Sequence, residues 1–194
     1  MAKCPSCNQR KAQRPCPALG QSICSLCCGT KRQKEIACEP TCQYLQAGTQ
    51  YQLAREVKSL VHTTFRSQDD DVFAIPEVAE YASHIERAFV EHLYPDQHIV
   101  DMEIHEALGR LYLLQTGKLA SLEPRNRCEQ VVFQAFADAD AACPDLDEEL
   151  KAKTVLRIMR SVEKATGRAL GPRNYLEMIY SQFTGKGKWA HLYE

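Results

Sequence analysis

The sequence predicts a small cysteine-built N-terminal unit followed by an all-α domain, and three observations lead there. Eight of the ten cysteines (Cys4, Cys7, Cys16, Cys24, Cys27, Cys28, Cys38 and Cys42) lie in the first 42 residues of a 194-residue chain. Residues 1 to about 46 hold four of the nine prolines, few aliphatic side chains and no amphipathic period, so hydrocarbon burial alone does not fold them. From Thr49 onward apolar residues recur at helical spacing, and no stretch outside the cysteine-rich part alternates long enough to predict a strand. The expected division is therefore 1–46 for the first unit and 47–194 for an all-α helical domain with a short basic C-terminal tail.

Each helix has its own signal. In "TQYQLAREVKSLVHTTF" Leu53, Val57, Leu60 and Val61 share one face, with Thr49 as N-cap. "SQDDD" interrupts the pattern. "IPEVAEYASHIERAFVEHLY" opens on Pro76 at a first-turn position and carries Val78, Tyr81, Ile85, Phe89 and Leu93 in a stripe. Asp96 is expected to cap a helix through "IVDMEIHEALGRLYLLQTG", which Gly117 ends. Further helices fit "EPRNRCEQVVFQAFADA", "DLDEELKAKTVLRIMRSVEKATG", with Asp145 as its cap, and "GPRNYLEMIYSQF". The tail "TGKGKWAHLYE" is expected to be either mobile or a docking strap.

Bulk properties limit the function classes. A hydrophobic content of 44%, a charged content of 25% and a mean hydropathy of -0.40 belong to ordinary globular domains. No apolar run approaches the roughly 18 residues of a membrane span, and the polar start "MAKCPSCNQRKAQ" does not suit a secretory signal, so a cytoplasmic location is expected. In a reducing compartment the cysteine cluster reads as a metal site rather than a disulfide framework.

The spacing is Cys4-x2-Cys7, then Cys16, Cys24-x2-Cys27, the adjacent Cys28, Cys38 and x3 to Cys42. Zinc takes four thiolates in a tetrahedron, and CxxC turns offer two sulfurs to one ion while backbone amides bond to them. Eight thiolates fill two closed shells, so two Zn2+ ions in structural sites are expected. Neighbouring side chains point in different directions, which divides Cys27 and Cys28 between the two ions in an interleaved pairing. Residues 1 to 50 carry Lys3, Arg10, Lys11, Arg14, Lys31, Arg32 and Lys34 against Glu35 and Glu39. Their formal +5 falls to about +1 once eight thiolates and two dications are counted.

"CPSC", "CPAL", "ICSLCC" and "CEPTC" follow one another over about 40 residues in an order that resembles HIT-type zinc fingers, relatives of the MYND and B-box cross-brace folds. The resemblance implies a cross-brace finger in which Cys4, Cys7, Cys24 and Cys28 hold one ion and Cys16, Cys38 and Cys42 the other. This chain departs from the pattern at Leu19, which stands at a ligand position, and in a longer loop "GTKRQKEIA". Cys27 then supplies the missing ligand. Such fingers serve mainly as protein-interaction modules, which implies a non-enzymatic adaptor with a protein partner, "PALGQSI" and "GTKRQKEI" forming its surface and Leu19, Ile23 and Ile36 its apolar contacts.

A second expectation is nucleic-acid binding through Arg10, Lys11, Arg14, Lys31, Arg32 and Lys34, which would be strongly salt-dependent. No catalytic constellation accompanies these residues: there is no HExxH, no GxSxG and no phosphate loop. His62, His84, His92, His98 and His105 lack the Glu-x-x-His spacing of a di-metal bundle and read as surface residues. Cys128 and Cys143 read as buried small hydrophobes.

Overall fold

The computed structural model describes residues 2–64, 71–166 and 172–193. Phe65 at the end of the first expected helix, most of the "SQDDD" break and the glycines at 167 and 171 fall outside them. Contacts divide the chain into two units, Met1–Arg55 and Glu56–Glu194.

In the first unit, strands β1 (Arg14–Cys16) and β2 (Gln21–Ile23) pair antiparallel, with Arg14 opposite Ile23 and Cys16 opposite Gln21. A 3-10 turn at Pro17–Leu19 joins them and ends on Gly20 in the left-handed conformation (φ 63°), which glycine adopts without a Cβ clash. Helix α1 (Ser25–Lys31) follows directly. The core is made of Cys4, Ile23, Cys24, Cys27 and Ile36, with Cys7, Cys16, Cys28 and Cys38 packed against it. Ile23 and Ile36 are 1% and 5% exposed, so they are core side chains and not the surface contacts expected of them.

Helix α2 (Gln43–Thr64) belongs to the first unit up to Arg55 and to the second beyond it. It starts earlier than its amphipathic pattern suggests, because Cys42 carries the backbone into it: its carbonyl accepts from the amides of Leu45 and Gln46. Thr49 is therefore inside the helix, and its hydroxyl bonds back to the Leu45 carbonyl at 3.1 Å.

The second unit holds the end of α2 and helices α3 (Pro76–His92), α4 (Asp101–Gln115), α5 (Arg127–Ala142), α6 (Glu148–Ala165) and α7 (Asn174–Thr184). The stripe Val78, Tyr81, Ile85, Phe89 and Leu93 is completely buried. With Pro76 pre-set for the first turn, α3 packs chiefly on α5, while α4 packs on α6. Full burial of each such side chain stabilises by about 1.5–3 kcal/mol.

The caps fall differently from the sequence expectation. Asp96 closes a turn by accepting from the His98 amide (3.0 Å), and α4 starts five residues on, with the Glu103 carboxylate reaching back to the Val100 amide (3.0 Å). Gly117 does end α4, in the left-handed conformation, and the Lys118 amide bonds to the Leu113 carbonyl at 2.8 Å. Asp147, not Asp145, caps α6 through the amides of Glu149 and Leu150. Asn126 caps α5. The cap of α7 comes from far along the chain: the buried carboxylate of Asp101 accepts from the amides of Tyr175 (2.8 Å) and Leu176 (3.2 Å).

Arg173 completes the same corner, donating to the carbonyls of Asp96 (2.6 Å), Tyr94 (2.8 Å) and Ile99. Glu129 is 2% exposed and lies between Arg110 and Arg125, and although burial pushes its carboxyl up, the two guanidiniums prevail and bring it down to about 2. After α7 the tail folds back: the Trp189 amide donates to Ser181 Oγ at 3.1 Å, and a 3-10 turn covers Ala190–Leu192. The described tail residues are thus strapped to their own unit.

Glu86 is 8% exposed and accepts a 2.8 Å hydrogen bond from the buried Tyr175 hydroxyl; burial pushes its carboxyl up to about 7. Below its unfolded value of 4.5 the group is neutral in both states. As pH rises from there to the folded value, the unfolded chain gives up its proton while the native carboxyl keeps its own, so stability falls by up to about 3 kcal/mol and then levels off. Glu86→Gln keeps an acceptor for Tyr175. Its stability relative to the parent should rise from about pH 4.5 to about pH 7 and level off above, read from denaturant midpoints.

Candidate metal centre

Two local turns bring the first four sulfurs together. At the first, the amides of Cys7 and Asn8 bond to the Cys4 carbonyl, with Asn8 at a positive φ of 52° that asparagine tolerates. A bond from the Cys4 amide to the Arg10 carbonyl (2.7 Å) and a bridge between Lys3 and Lys11 close this loop. At the second, Cys24 is the N-cap of α1 and its sulfur accepts from the Cys27 amide at 3.4 Å.

The thiols of Cys4, Cys7, Cys24 and Cys27 consequently all lie within 4.8 Å of one another. A tetrahedron with metal–sulfur bonds of about 2.3 Å has edges of roughly 3.8 Å, and Cys7 Sγ lies 3.9 Å from Cys24 Sγ. All ten cysteines are free thiols. This is a donor set that could hold zinc: four sulfurs, mostly buried, with a backbone amide already on one of them.

Electrostatics explain why such a site wants a cation. Burial raises the Cys4 thiol, but hydrogen bonds from the backbone at Cys24 and Ser6 outweigh it and bring it down to about 6. Backbone hydrogen bonds at Gln9 and Arg10 lower Cys7. Cys27 is pushed up to about 12, first by its hydrogen bond with Cys24 and then by burial. Three or four thiolates cannot share this space without a counter-charge, and a dication removes the conflict by taking the last proton off.

No protein-family model, no curated protein and no solved structure matches this chain. Geometry and chemistry therefore carry the reading of the site.

The pairing differs from the one the cross-brace resemblance implied. Cys27, not Cys28, completes the first cluster, because Cys24 and Cys27 form a CxxC turn on the first turn of α1. Cys28 is one step further round that helix and lines a separate, small cavity together with Cys16, Cys38 and Cys42. This cavity, about 10 Å3, is also walled by Pro15, Ile23, Arg32, Ile36, Tyr44 and Leu45. Leu19 is exposed on its turn.

Arg32 was expected in a phosphate-contacting patch. Its guanidinium instead approaches Cys28 Sγ (3.8 Å) and rests on Gly48 of α2, where a Cβ would sit 1.6 Å from Nη1. The glycine makes that approach feasible, and a lone glycine in a helical stretch was the signal available for it. Of the other basic residues, Arg14 stacks over Tyr44 at 4.9 Å and Lys31 pairs with Glu35 at 2.8 Å, whereas Arg10, Lys11 and Lys34 are exposed.

Elsewhere the histidines form no metal cluster among the described residues. His105 is not a surface residue: its side chain is 12% exposed and contacts Glu163 at 3.0 Å, beside His62 at 3.4 Å from the same carboxylate. Cys128 is buried as expected, which raises its thiol to about 12; Cys143 is half-buried.

Substituting either adjacent cysteine separates the two roles. Cys27→Ser should cost the first cluster its ion, and Cys28→Ser should leave that cluster loaded; protection of Cys4, Cys7 and Cys24 from alkylation in the zinc-loaded protein, mapped by mass spectrometry, checks both. Retention in Cys27→Ser with loss in Cys28→Ser would place Cys28 in this shell instead.

Proposed function

We propose that the first unit is a two-zinc finger of the cross-brace kind and that the protein is a non-enzymatic adaptor, working through the finger surface on a protein partner. Cys4, Cys7, Cys24 and Cys27 hold one ion. Cys16, Cys28, Cys38 and Cys42 hold a second, and what supports this is that the four remaining cysteines of the cluster converge on one small cavity. Both shells are closed by protein thiolates, which leaves no coordination position for a reacting water. The ions are structural, and the finger presents a surface.

The observation that carries the adaptor reading is the exposure of two leucines on the loops that the cysteines fix. Leu19 is 41% exposed on the turn between β1 and β2, and Leu26 is 48% exposed on the first turn of α1. In a unit whose core cluster joins Ile23 and Ile36 to cysteines, Leu19 and Leu26 are apolar groups left open to a partner, as is Tyr51 on α2. Basic Arg10, Lys11 and Lys34 on the same unit are exposed and favour a partner with acidic side chains.

Nucleic-acid binding is the second reading, and the same three exposed cations favour it. The two separate on salt and on apolar dependence. A Leu19→Asp, Leu26→Asp double variant should keep its zinc and its melting temperature, since surface substitutions usually stay within about 0.5 kcal/mol. It should lose the protein partner recovered by affinity purification with the parent. If recovery is unchanged, and generic DNA or RNA binds at about 50 mM salt and is released as salt rises, the adaptor reading fails and the nucleic-acid reading stands.

A further inference from the structure

The helical unit contains a cavity that its own packing does not require. It has a volume of about 320 Å3, at the small end of ligand pockets, and is lined from α6 by Arg157, Ser161, Lys164 and Ala165, from α7 by Asn174 and Met178, and from the tail by Trp189 and Leu192. Ala165, Met178, Leu192 and the indole of Trp189 give the lining its apolar surface, and Arg157, Ser161, Lys164 and Asn174 its polar part.

The polar groups of the lining are unbalanced in one direction. Arg157 spends three N–H groups, two on Asp71 (2.7 and 2.9 Å) and one on Ser161 Oγ (2.6 Å), which leaves two of its five. Asp71 neutralises its charge. Lys164 has no ion-pair partner among the described residues, so its ammonium is the one surplus cation of the lining; Lys188, 4.7 Å from the centroid of the Trp189 ring, lies outside it. The indole N–H of Trp189 is buried and finds no acceptor. Apart from the Asn174 amide, which can act both ways, and Ser161 Oγ, which accepts from Arg157, the lining groups left unused are donors. A buried donor without an acceptor is uncommon in a folded protein. A ligand that supplies acceptor oxygens and one negative charge satisfies both deficits.

We propose that this cavity binds a small organic carboxylate with an apolar body, its carboxylate held at Lys164, the free N–H groups of Arg157 and the indole N–H of Trp189, its body against Ala165, Met178 and Leu192. The single net charge of the lining favours a monoanion. The site is independent of the zinc finger, and neither the adaptor reading nor its failure affects it.

Trp189 is the one tryptophan in the chain, so its fluorescence reports on this cavity alone. The full chain is titrated with 4-phenylbutyrate and, separately, with the uncharged 4-phenylbutyramide, following Trp189 emission and the heat of binding. The carboxylate should give a saturable change with a Kd of roughly 1 mM or tighter, and the amide none in that range. Lys164→Gln, at an exposed position, should keep its melting temperature and bind the carboxylate roughly tenfold more weakly. Ala165→Leu, which fills the cavity from α6, should abolish binding in calorimetry. Equal binding of acid and amide, unchanged affinity in Lys164→Gln, or no saturation by either readout up to about 10 mM would each overturn the proposal.

Discussion

The first unit depends on one electrostatic constraint: its core is sulfur. Where an ordinary domain of this size buries leucines and phenylalanines, this one buries Cys4, Cys24 and Cys27 beside two isoleucines. Thiols pack as small hydrophobes only while protonated, yet the backbone amides around Cys4 and Cys7 draw those thiols toward the thiolate. The first unit is consequently arranged for a charge that a dication could supply, and its loops and α1 bring four thiol donors together.

The helical unit rests on a different device. Its helices bury regular apolar stripes, but the corner where α7 meets the loop before α4 is held by polar groups. Asp101 caps a helix that starts some seventy residues later, and Arg173 answers the carbonyls of the loop that precedes Asp101. Asp101 accepts from two backbone amides and the Thr166 hydroxyl, and Arg173 donates to three carbonyls, so each is held mainly by groups other than its counterpart. Glu129 between its two arginines does the same for the start of α5.

How much of this the sequence made legible follows from the range of the interactions. The stripe on α3 and the Gly117 stop are local and could be read directly. Asp147 displaced Asp145 because a cap is decided by one residue of register, which pattern alone does not resolve. The Asp101 cap and the Arg173 clasp pair residues about seventy or more positions apart, and no spacing announces them. In the first unit a thiol cluster was plain from the density of cysteines. Their partition was not, because it turns on the helical start at Ser25, which puts Cys24 and Cys27 in one CxxC turn and sends Cys28 elsewhere.

Cys27 and Cys28 are successive residues on one helix, and consecutive side chains on an α-helix diverge by about 100°. One short helix therefore belongs to the walls of two separate thiol pockets. Whatever seats Cys27 also sets the azimuth of Cys28, and the reverse holds. Seven residues are too few to be helical on their own, so α1 owes its order to the contacts its side chains make. The same short helix thus sets the direction of one sulfur in the four-thiol cluster and of one in the neighbouring cavity.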